Sequence, residues 1–219
     1  MNFFLDTEFN EQPNRVLDLI SVGMVNEWGD EFYAIDRRYL DGTHPPVNDF
    51  VRLQVLPHLA RDEAFVGNPY QIATKLLAFV NVEQPRDITM WGYYSDYDWV
   101  VLMQLFGDMS AHPEGWPYYC RDLRQWLDDR NRQHLTQPEG SLHNALDDAR
   151  WVAATYDKVL RDEAAAYIPD RPYRQYTDEE LHGMSNDAFQ WRSWSEVDAI
   201  HEEFQARESE ARELQQPLG

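Results

Sequence analysis

In the first 93 positions hydrophobic residues either alternate with polar ones or form short apolar runs. Both patterns are typical of β-strands. These runs are four to nine residues long and rich in β-branched and aromatic side chains. They predict strands at residues 2–5, 17–25, 31–35 and 87–93. A turn at Trp28-Gly29-Asp30 separates the second strand from the third, so the first three strands are predicted to form a meander.

Apolar residues at helical spacing, together with helix start and stop signals, predict several helices. Asn68-Pro69 has the form of an N-cap followed by proline at the first helical position, and Gly107 is a stop signal. The predicted helices cover residues 47–56 (ended by Pro57), 69–80, 95–106, 121–132 and 143–163. This order of elements predicts an α/β fold, a mixed β-sheet flanked by helices.

The last 56 positions differ in character from the rest. Pro169 and Pro172 suggest a linker, and a narrow apolar stripe follows on an otherwise polar surface. The stripe consists of Val197, Ile200, Phe204, Ala211 and Leu214. We therefore predict a main domain at 1–163 and an acidic, mainly helical C-terminal extension at 164–219, which docks either on the main domain or on a partner.

Composition restricts the class of protein. The chain has 219 residues, of which 43% are hydrophobic, a share that excludes an intrinsically disordered protein. No apolar run reaches the ~20 residues of a membrane span, and the N-terminus lacks the pattern of a signal peptide. The single cysteine, Cys120, fits a reducing compartment. We expect a cytoplasmic protein without membrane contact.

The charge balance is strongly acidic. Nineteen basic and 39 acidic residues give a formal net charge of −20. This charge argues against binding nucleic acid through a broad basic surface. Divalent cations held by some of the acids would invert the local field, so the argument weakens where such cations bind.

Two acids near the N-terminus, Asp6 and Glu8, are separated by one residue. Successive side chains of a strand point to opposite faces, so these two share a face about 6.5 Å apart, given a rise of ~3.3 Å per residue. Carboxylates so placed can converge on one hard divalent cation. An isolated motif of this kind is also compatible with a solvated turn, so the interpretation depends on acids elsewhere in the chain.

A third acid, Asp98, falls on the apolar face of a predicted helix. Val101, Leu102 and Leu105 follow it at helical spacing, so its carboxylate is predicted to face the sheet. A buried acid is costly unless it is paired or binds a metal. The alternative is a capping box in which Ser95 is the N-cap residue.

A fourth acid, Asp148, repeats this pattern in the last long helix. It shares a face with Ala145, Ala149 and Val152, whereas Asp147 is turned about 100° away. His143 precedes Asp148 by five residues, near the predicted start of the helix. Such a histidine is either a surface residue or a partner of the buried acid.

Three segments together resemble the exonuclease motifs of the DEDDh family. They are Asp6-Thr7-Glu8, the segment 97–102 that contains Asp98, and His143-x-Ala145-x-x-Asp148-Ala149. The segments 19–23, 55–57 and 102–107 look most like ribonuclease AS, a 3′-exoribonuclease group associated with adenylate-rich RNA. The resemblance covers residues 1–160 and implies a ribonuclease H-like fold.

The resemblance also implies a catalytic site. Asp6, Glu8, Asp98 and Asp148 would hold two Mg²⁺ or Mn²⁺ ions for an in-line displacement. His143 would be the general base, a role that suits its reference pKa of ~6.5.

Substrate and partners follow from the same resemblance. We expect hydrolysis from the 3′ end of single-stranded RNA to nucleoside 5′-monophosphates by a homodimer. Phe9 is the candidate for stacking on the terminal base, and Thr7, Trp99 and Trp116 are further candidates for substrate contact. Packing in the hydrophobic core is the alternative for the aromatic residues among them. A 3′-5′ DNA exonuclease and a non-catalytic nuclease-fold interaction module are the alternatives.

Overall fold

A computed structural model describes most of the N-terminal region and parts of the C-terminal region. The described residues are 1–12, 16–81, 87–137, 143–166, 173, 176–182, 184 and 200–207. The chain divides into two compact units, Met1–Asp157 and Lys158–Gly219. The predicted domain boundary after residue 163 falls inside the last long helix, which ends at Ala166.

Six strands among the described residues form one mixed sheet in the first unit, in the order β4-β3-β2-β1-β5-β6. They are β1 (Asn2–Glu11), β2 (Leu17–Asn26), β3 (Glu31–Asp36), β4 (Phe65–Gly67), β5 (Thr89–Gly92) and β6 (Arg121–Asp122). The antiparallel meander β1-β2-β3 is flanked by parallel pairs, β3 with β4 and β1 with β5, and β5 pairs in parallel with β6. The predicted meander is confirmed.

Helices cover both faces of this sheet. They are α1 (Arg38–Asp41), α2 (Pro69–Asn81), α3 (Asp96–Gln104), α4 (Leu123–Asp129) and α5 (Ala145–Ala166). Helices α2 and α3 pack with Phe3 and Leu5 on one face. Helix α5 lies on the other face, where the rings of Phe4 and Tyr156 are 5.2 Å apart. The predicted α/β class, with a mixed sheet flanked by helices, is confirmed.

Several boundaries differ from those predicted, for local reasons. The segment predicted as a helix at 47–56 contains a π-helical turn, Val51–Val55, and a 3₁₀ turn, Leu56–His58. Pro57 lacks an N–H and cannot continue an α-helix, but a first helical turn tolerates it. Helix α4 begins at Leu123 rather than at residue 121, because Asp122 caps it by accepting a hydrogen bond from the Gln125 N–H at 2.9 Å. The short strands β4 and β6 were not predicted.

The second unit begins within α5, and its described residues are also helical at 178–182 and 200–207. Arg207 connects them, since its Nη1 lies 2.6 Å from Asp178 Oδ1 and its Nε lies 2.8 Å from Glu203 Oε1. Of the predicted apolar stripe, Ile200 is buried and Phe204 is half-buried. Val197, Ala211 and Leu214 lie outside the described residues. None of the helices that the structure describes is long and apolar enough to cross a membrane.

Gly23 allows α5 to approach the sheet closely. It pairs with Asp6 across β1 and β2. A Cβ atom at this position would lie 2.2 Å from the Ala145 carbonyl oxygen and 2.4 Å from Leu146 Cα. Both are backbone atoms of the first turn of α5, so they cannot move aside as a side chain would. The absence of a side chain at Gly23 therefore lets the start of α5 lie against the sheet at Gly23, next to its strand partner Asp6.

We predict that Gly23→Ala destabilises the protein by about 1–3 kcal/mol, the usual cost of overpacking. Alanine within a strand is otherwise more favourable than glycine, so a loss would identify the helix contact as the cause. Urea unfolding measures the free energy. Met24→Leu, on the opposite face of the same strand, is the control and should cost less than about 1.5 kcal/mol. An unchanged or higher stability of Gly23→Ala would contradict the close contact.

Candidate metal centre

The alternation of β1 places Asp6 and Glu8 on the face that α5 covers. Both residues pair with β2 in regular register, Asp6 with Gly23 and Glu8 with Ser21. A β-bulge follows Glu8, where the register shifts. The two acids therefore stand side by side on a regular stretch of strand that ends immediately after them.

Asn144 fixes the position of the third acid, Asp148, by capping α5. Its Oδ1 accepts hydrogen bonds from the N–H groups of Leu146 (3.0 Å) and Asp147 (3.3 Å). Its Nδ2 donates to the His58 carbonyl oxygen at 2.8 Å, which ties the helix start to the neighbouring loop. Asp148 lies one turn into α5, and its carboxylate approaches those of the strand. Ligand oxygens of Asp6, Glu8 and Asp148 all lie within 4.8 Å of one another.

Asp98 reaches the same site from the free edge of β1. Strand β5 pairs with β1 only as far as Phe4, so the Thr7 N–H has no strand partner on that side. It donates instead to Asp98 Oδ1 at 2.9 Å, and the Thr7 hydroxyl donates to the same oxygen at 2.6 Å. The side chain of Thr7 is thus engaged in fixing the Asp98 carboxylate.

Burial raises the pKa of all four carboxyl groups, and the charges of other cluster acids raise it further for Asp6, Glu8 and Asp148. Burial, followed by the charges of Asp148 and Asp98, raises the pKa of Glu8 to about 8. Burial is also the main cause that raises the pKa of Asp148 to about 7. The pKa of Asp6 is raised by burial and then by the other three carboxylates, and burial raises that of Asp98. The cluster is therefore more stable when its carboxylates bind either protons or a cation.

His143 lies beside the cluster in an unusual backbone conformation. Its φ is +65°, and its backbone N–H donates to Asp148 Oδ2 at 3.2 Å. The imidazole contacts the Phe50 ring edge to face at 5.0 Å. Burial, followed by the charge of His58, lowers the pKa of His143. The ring is therefore mainly neutral at neutral pH, the form in which it accepts a proton.

One cleft of about 520 Å³ contains all five residues. The described residues that line it are Asp6, Thr7, Glu8, Phe9, Glu11, Asn48, Phe50, Val51, Val55, Tyr94, Tyr97, Asp98, His143 and Asp148. No arginine or lysine stands among these described lining residues. Hard oxygen ligands without a basic counterpart are the donor set that Mg²⁺, Mn²⁺ and Ca²⁺ prefer, so the residues fit a divalent cation.

The aromatic candidates for substrate contact are separated in the structure. Phe9 lines the cleft, and its ring is nearly parallel to that of Tyr97. The two ring centroids are 6.0 Å apart and the ring planes differ by 16°. Trp99 lines a different pocket, together with Met103 and Tyr118. Trp116 is 4% exposed and belongs to the hydrophobic core.

Several residues of the site did not emerge from the sequence. Gln137 donates from Nε2 to Asp148 Oδ1, while Phe50 and Tyr94 line the cleft. Nothing in the sequence distinguishes these three from other loop residues. Asn144 had a recognisable signal, since an asparagine immediately before a helix is a preferred N-cap.

Comparison with known proteins gives two concordant results. A family model described as the Rv2179c-like 3′-5′ exoribonuclease domain matches residues 1–160. Two proteins of Mycobacterium tuberculosis are 34% identical over 151 residues, which is 68% of this chain and 88% of each relative. They are the 3′-5′ exoribonuclease Rv2179c of strain H37Rv and the 3′-5′ exoribonuclease MT2234.1 of strain CDC 1551. The clustered carboxylates and the histidine all lie inside the matched residues.

We predict that Glu8→Gln stabilises the metal-free protein at pH 8. The pKa of Glu8 is about 8 in the folded protein, against ~4.3 in an unfolded chain. The folded state therefore binds the proton more tightly, and stability falls as pH rises between these values. In EDTA at pH 8 the variant should gain at least about 2–4 °C in Tm, and the gain should disappear near pH 4.

Glu114→Gln, at an exposed glutamate outside the cleft, controls for the change in net charge. Added Mg²⁺ should stabilise the wild type more than Glu8→Gln, because a ligand that binds the folded state raises its stability. Equal Tm values for wild type and Glu8→Gln in EDTA at pH 8 would contradict the repulsion within the cluster.

Proposed function

The chain belongs to the Rv2179c-like 3′-5′ exoribonuclease family, and on this basis we propose that it is a metal-dependent 3′-5′ exoribonuclease of the DEDDh type with a ribonuclease H-like fold. The observation that carries the proposal is the convergence of Asp6, Glu8, Asp98 and Asp148 beside His143 in one cleft. A protein that only binds a partner has no need for such a costly cluster.

The four carboxylates would hold two divalent cations, Mg²⁺ or Mn²⁺. When bound, the cations supply charge neutralisation and Lewis acidity at the scissile phosphate. The three acids with oxygens within 4.8 Å of one another, Asp6, Glu8 and Asp148, form the centre of this ligand set. The hydrogen bonds from Thr7 fix the Asp98 carboxylate at its edge.

His143 is the general base in this proposal. A ring nitrogen takes a proton from the attacking water as its oxygen bonds to phosphorus, and the bond from phosphorus to the 3′-oxygen of the preceding nucleotide breaks. The leaving oxygen gains a proton from solvent water and the His143 ring returns its proton to solvent, which yields a nucleoside 5′-monophosphate and a chain shorter by one nucleotide. The lowered pKa of His143 keeps the ring in the proton-accepting form at neutral pH.

The substrate in this proposal is the 3′ end of single-stranded RNA. The names of the two mycobacterial relatives, both 3′-5′ exoribonucleases, support RNA rather than DNA. A preference for adenylate-rich RNA rests on the resemblance to ribonuclease AS. Phe9 follows Glu8 directly and is our candidate for contact with the terminal base, whereas we assign Thr7 to positioning Asp98. The predicted homodimer and cytoplasmic location rest on sequence alone.

The direct test is incubation of the pure protein with matched RNA and DNA oligonucleotides labelled at the 5′ end. The reactions contain Mg²⁺, Mn²⁺ or EDTA. We expect stepwise shortening of RNA from the 3′ end with either metal and none in EDTA. Faster shortening of DNA would favour the deoxyribonuclease alternative, and no degradation under any condition would favour the non-catalytic module.

We predict that Asp6→Ala or Asp148→Asn reduces hydrolysis by at least about 10³-fold, because catalytic groups that act as a unit lose most of their effect together. The fold should persist, since removal of one charge relieves repulsion in the metal-free cluster. Rates and Tm values are measured for both variants. Asp147→Asn, adjacent to Asp148 but paired with Arg150 at 2.7 Å, is the matched control and should keep its activity. Unchanged turnover in either cluster variant would remove that residue from the site.

For His143→Ala we predict a decrease in kcat of about 10²–10⁴-fold at saturating Mn²⁺, with metal affinity nearly unchanged. The wild-type rate should rise with pH through the titration of His143, at a pKa below the usual value, because the neutral ring is active. The variant should lose this part of the pH profile. Calorimetry measures Mn²⁺ binding separately.

His112→Ala is the control for this experiment, since His112 lines a different pocket and contacts the carbonyl oxygens of Pro113 and Pro117. It should retain the wild-type rate and pH profile. Recovery of the His143→Ala rate by excess Mn²⁺ would exclude the role of general base and indicate a metal ligand.

A further inference from the structure

Tyr94 stands out in the turn between β5 and α3. Its φ is +56°, in the left-handed region that bulky residues rarely adopt. Its side chain is 67% exposed and lines the same cleft as the four carboxylates. Strained residues of this kind concentrate at functional sites and persist where the surrounding structure fixes them.

The surroundings of Tyr94 do fix this turn. Two residues earlier, a Cβ atom at Gly92 would lie 2.6 Å from Ser95 Cβ and 3.3 Å from the Leu5 carbonyl oxygen. The Ser95 N–H donates to Asp122 Oδ2 at 2.9 Å, which anchors the end of the turn. The backbone is therefore held from both sides, and its conformation does not depend on the exposed ring of Tyr94.

The Tyr94 ring packs against a cluster of aromatic side chains. The centroids of the Tyr94 and Tyr93 rings are 4.7 Å apart, and the ring planes meet at 68°. Tyr93 in turn contacts the rings of Trp151 at 4.8 Å and His134 at 5.7 Å. Trp151 is fixed by donating from Nε1 to the Leu135 carbonyl oxygen at 2.8 Å. Tyr94 thus projects from a rigid base, which reduces the entropy lost when a ligand binds to it.

The neighbouring aromatic residues of the cleft are already engaged. Tyr97 lies parallel to Phe9, and Phe50 contacts His143 edge to face. Tyr94 meets Tyr93 at a steep angle, and within the described part of the chain no ring lies parallel to its face. This face is the flat apolar surface on which a planar ligand can stack.

A nucleobase is the ligand we expect on this surface, because the described lining of the cleft has few other groups that could bind a nucleic acid. Its described lining contains four clustered carboxylates and no arginine or lysine, in a chain of net charge −20. Affinity for the strand must then come from the bound cations and from stacking. Stacking on an aromatic ring tolerates any base.

We propose that Tyr94 forms a stacking site for a nucleobase on the 5′ side of the scissile phosphate. This rests on the function proposed above. The terminal nucleotide has to reach the carboxylates, of which Glu8 and Asp98 are buried and Asp6 and Asp148 are half-buried, beside the half-buried Phe9. Tyr94 lines the same cleft but is 67% exposed, which places it at the mouth. The next bases of the strand pass this mouth, so one of them meets Tyr94.

The experiment compares Tyr94→Ala and Tyr94→Phe with wild type. Fluorescence anisotropy measures the affinity for a 5′-labelled RNA oligonucleotide, with Ca²⁺ in place of Mg²⁺ to slow hydrolysis. Tyr94→Ala should weaken binding roughly 5- to 150-fold, the equivalent of one stacked base, and Tyr94→Phe should bind like wild type. Tyr70→Ala, at a tyrosine that is 80% exposed on α2, is the control and should bind like wild type.

RNA with one abasic nucleotide locates the stacked base. An abasic site at the penultimate position or the position before it should weaken wild-type binding and have no further effect in Tyr94→Ala. If only removal of the terminal base weakened wild-type binding and had no further effect in Tyr94→Ala, the assignment to the 5′ side would be overturned. The salt dependence of binding should be the same in wild type and Tyr94→Ala, because the ring neutralises no phosphate.

Tyr94→Gly separates stacking from stability. Glycine adopts a left-handed φ without strain, so this variant should unfold at the same or a higher temperature and still bind RNA as weakly as Tyr94→Ala. If the wild type degrades RNA and Tyr94→Ala binds it equally well, the stacking site is refuted while the proposed function stands. If the wild type neither binds nor degrades RNA, both proposals fail.

Discussion

Four carboxylates are held together in one cleft although burial and the repulsion among them oppose this arrangement. Asp6, Glu8 and Asp148 place oxygens within 4.8 Å of one another, and Asp98 adds a fourth charge from the edge of the sheet. Burial raises the pKa of all four, and the charges of other cluster acids add to this rise for Asp6, Glu8 and Asp148. A protein without bound cations therefore loses stability as the pH rises toward neutrality. Divalent cations reverse this effect, and the cluster is therefore best understood as a site built for them.

The backbone overcomes this repulsion by fixing each acid separately. Gly23 lets the first turn of α5 lie directly on the sheet, and Asn144 caps that helix and ties it to the 3₁₀ turn Leu56–His58. On the other side, the early end of β5 leaves the Thr7 N–H free to bind Asp98. None of these contacts requires a cation, so the ligand positions are preorganised, which lowers the cost of binding metal.

An acidic protein that acts on a polyanion needs a way to hold its substrate. The described lining of the cleft provides no basic side chain, so we expect bound cations to attract the phosphates and aromatic rings to hold the bases. This combination makes binding depend on the metal and on stacking more than on surface charge. It also explains how a net charge of −20 is compatible with a nuclease.

The meander, the α/β class and the shared face of Asp6 and Glu8 could be predicted from the sequence, because alternation and helical periodicity are local properties. The short strands β4 and β6 escaped prediction, since two or three residues carry no periodic signal and form only beside an existing sheet. The contact of Gly23 with α5, the separation of Trp99 from the cleft and the exposure of Tyr94 became visible only in the folded structure. These features depend on contacts between segments that are far apart in the sequence. A local sequence pattern carries no information about such contacts.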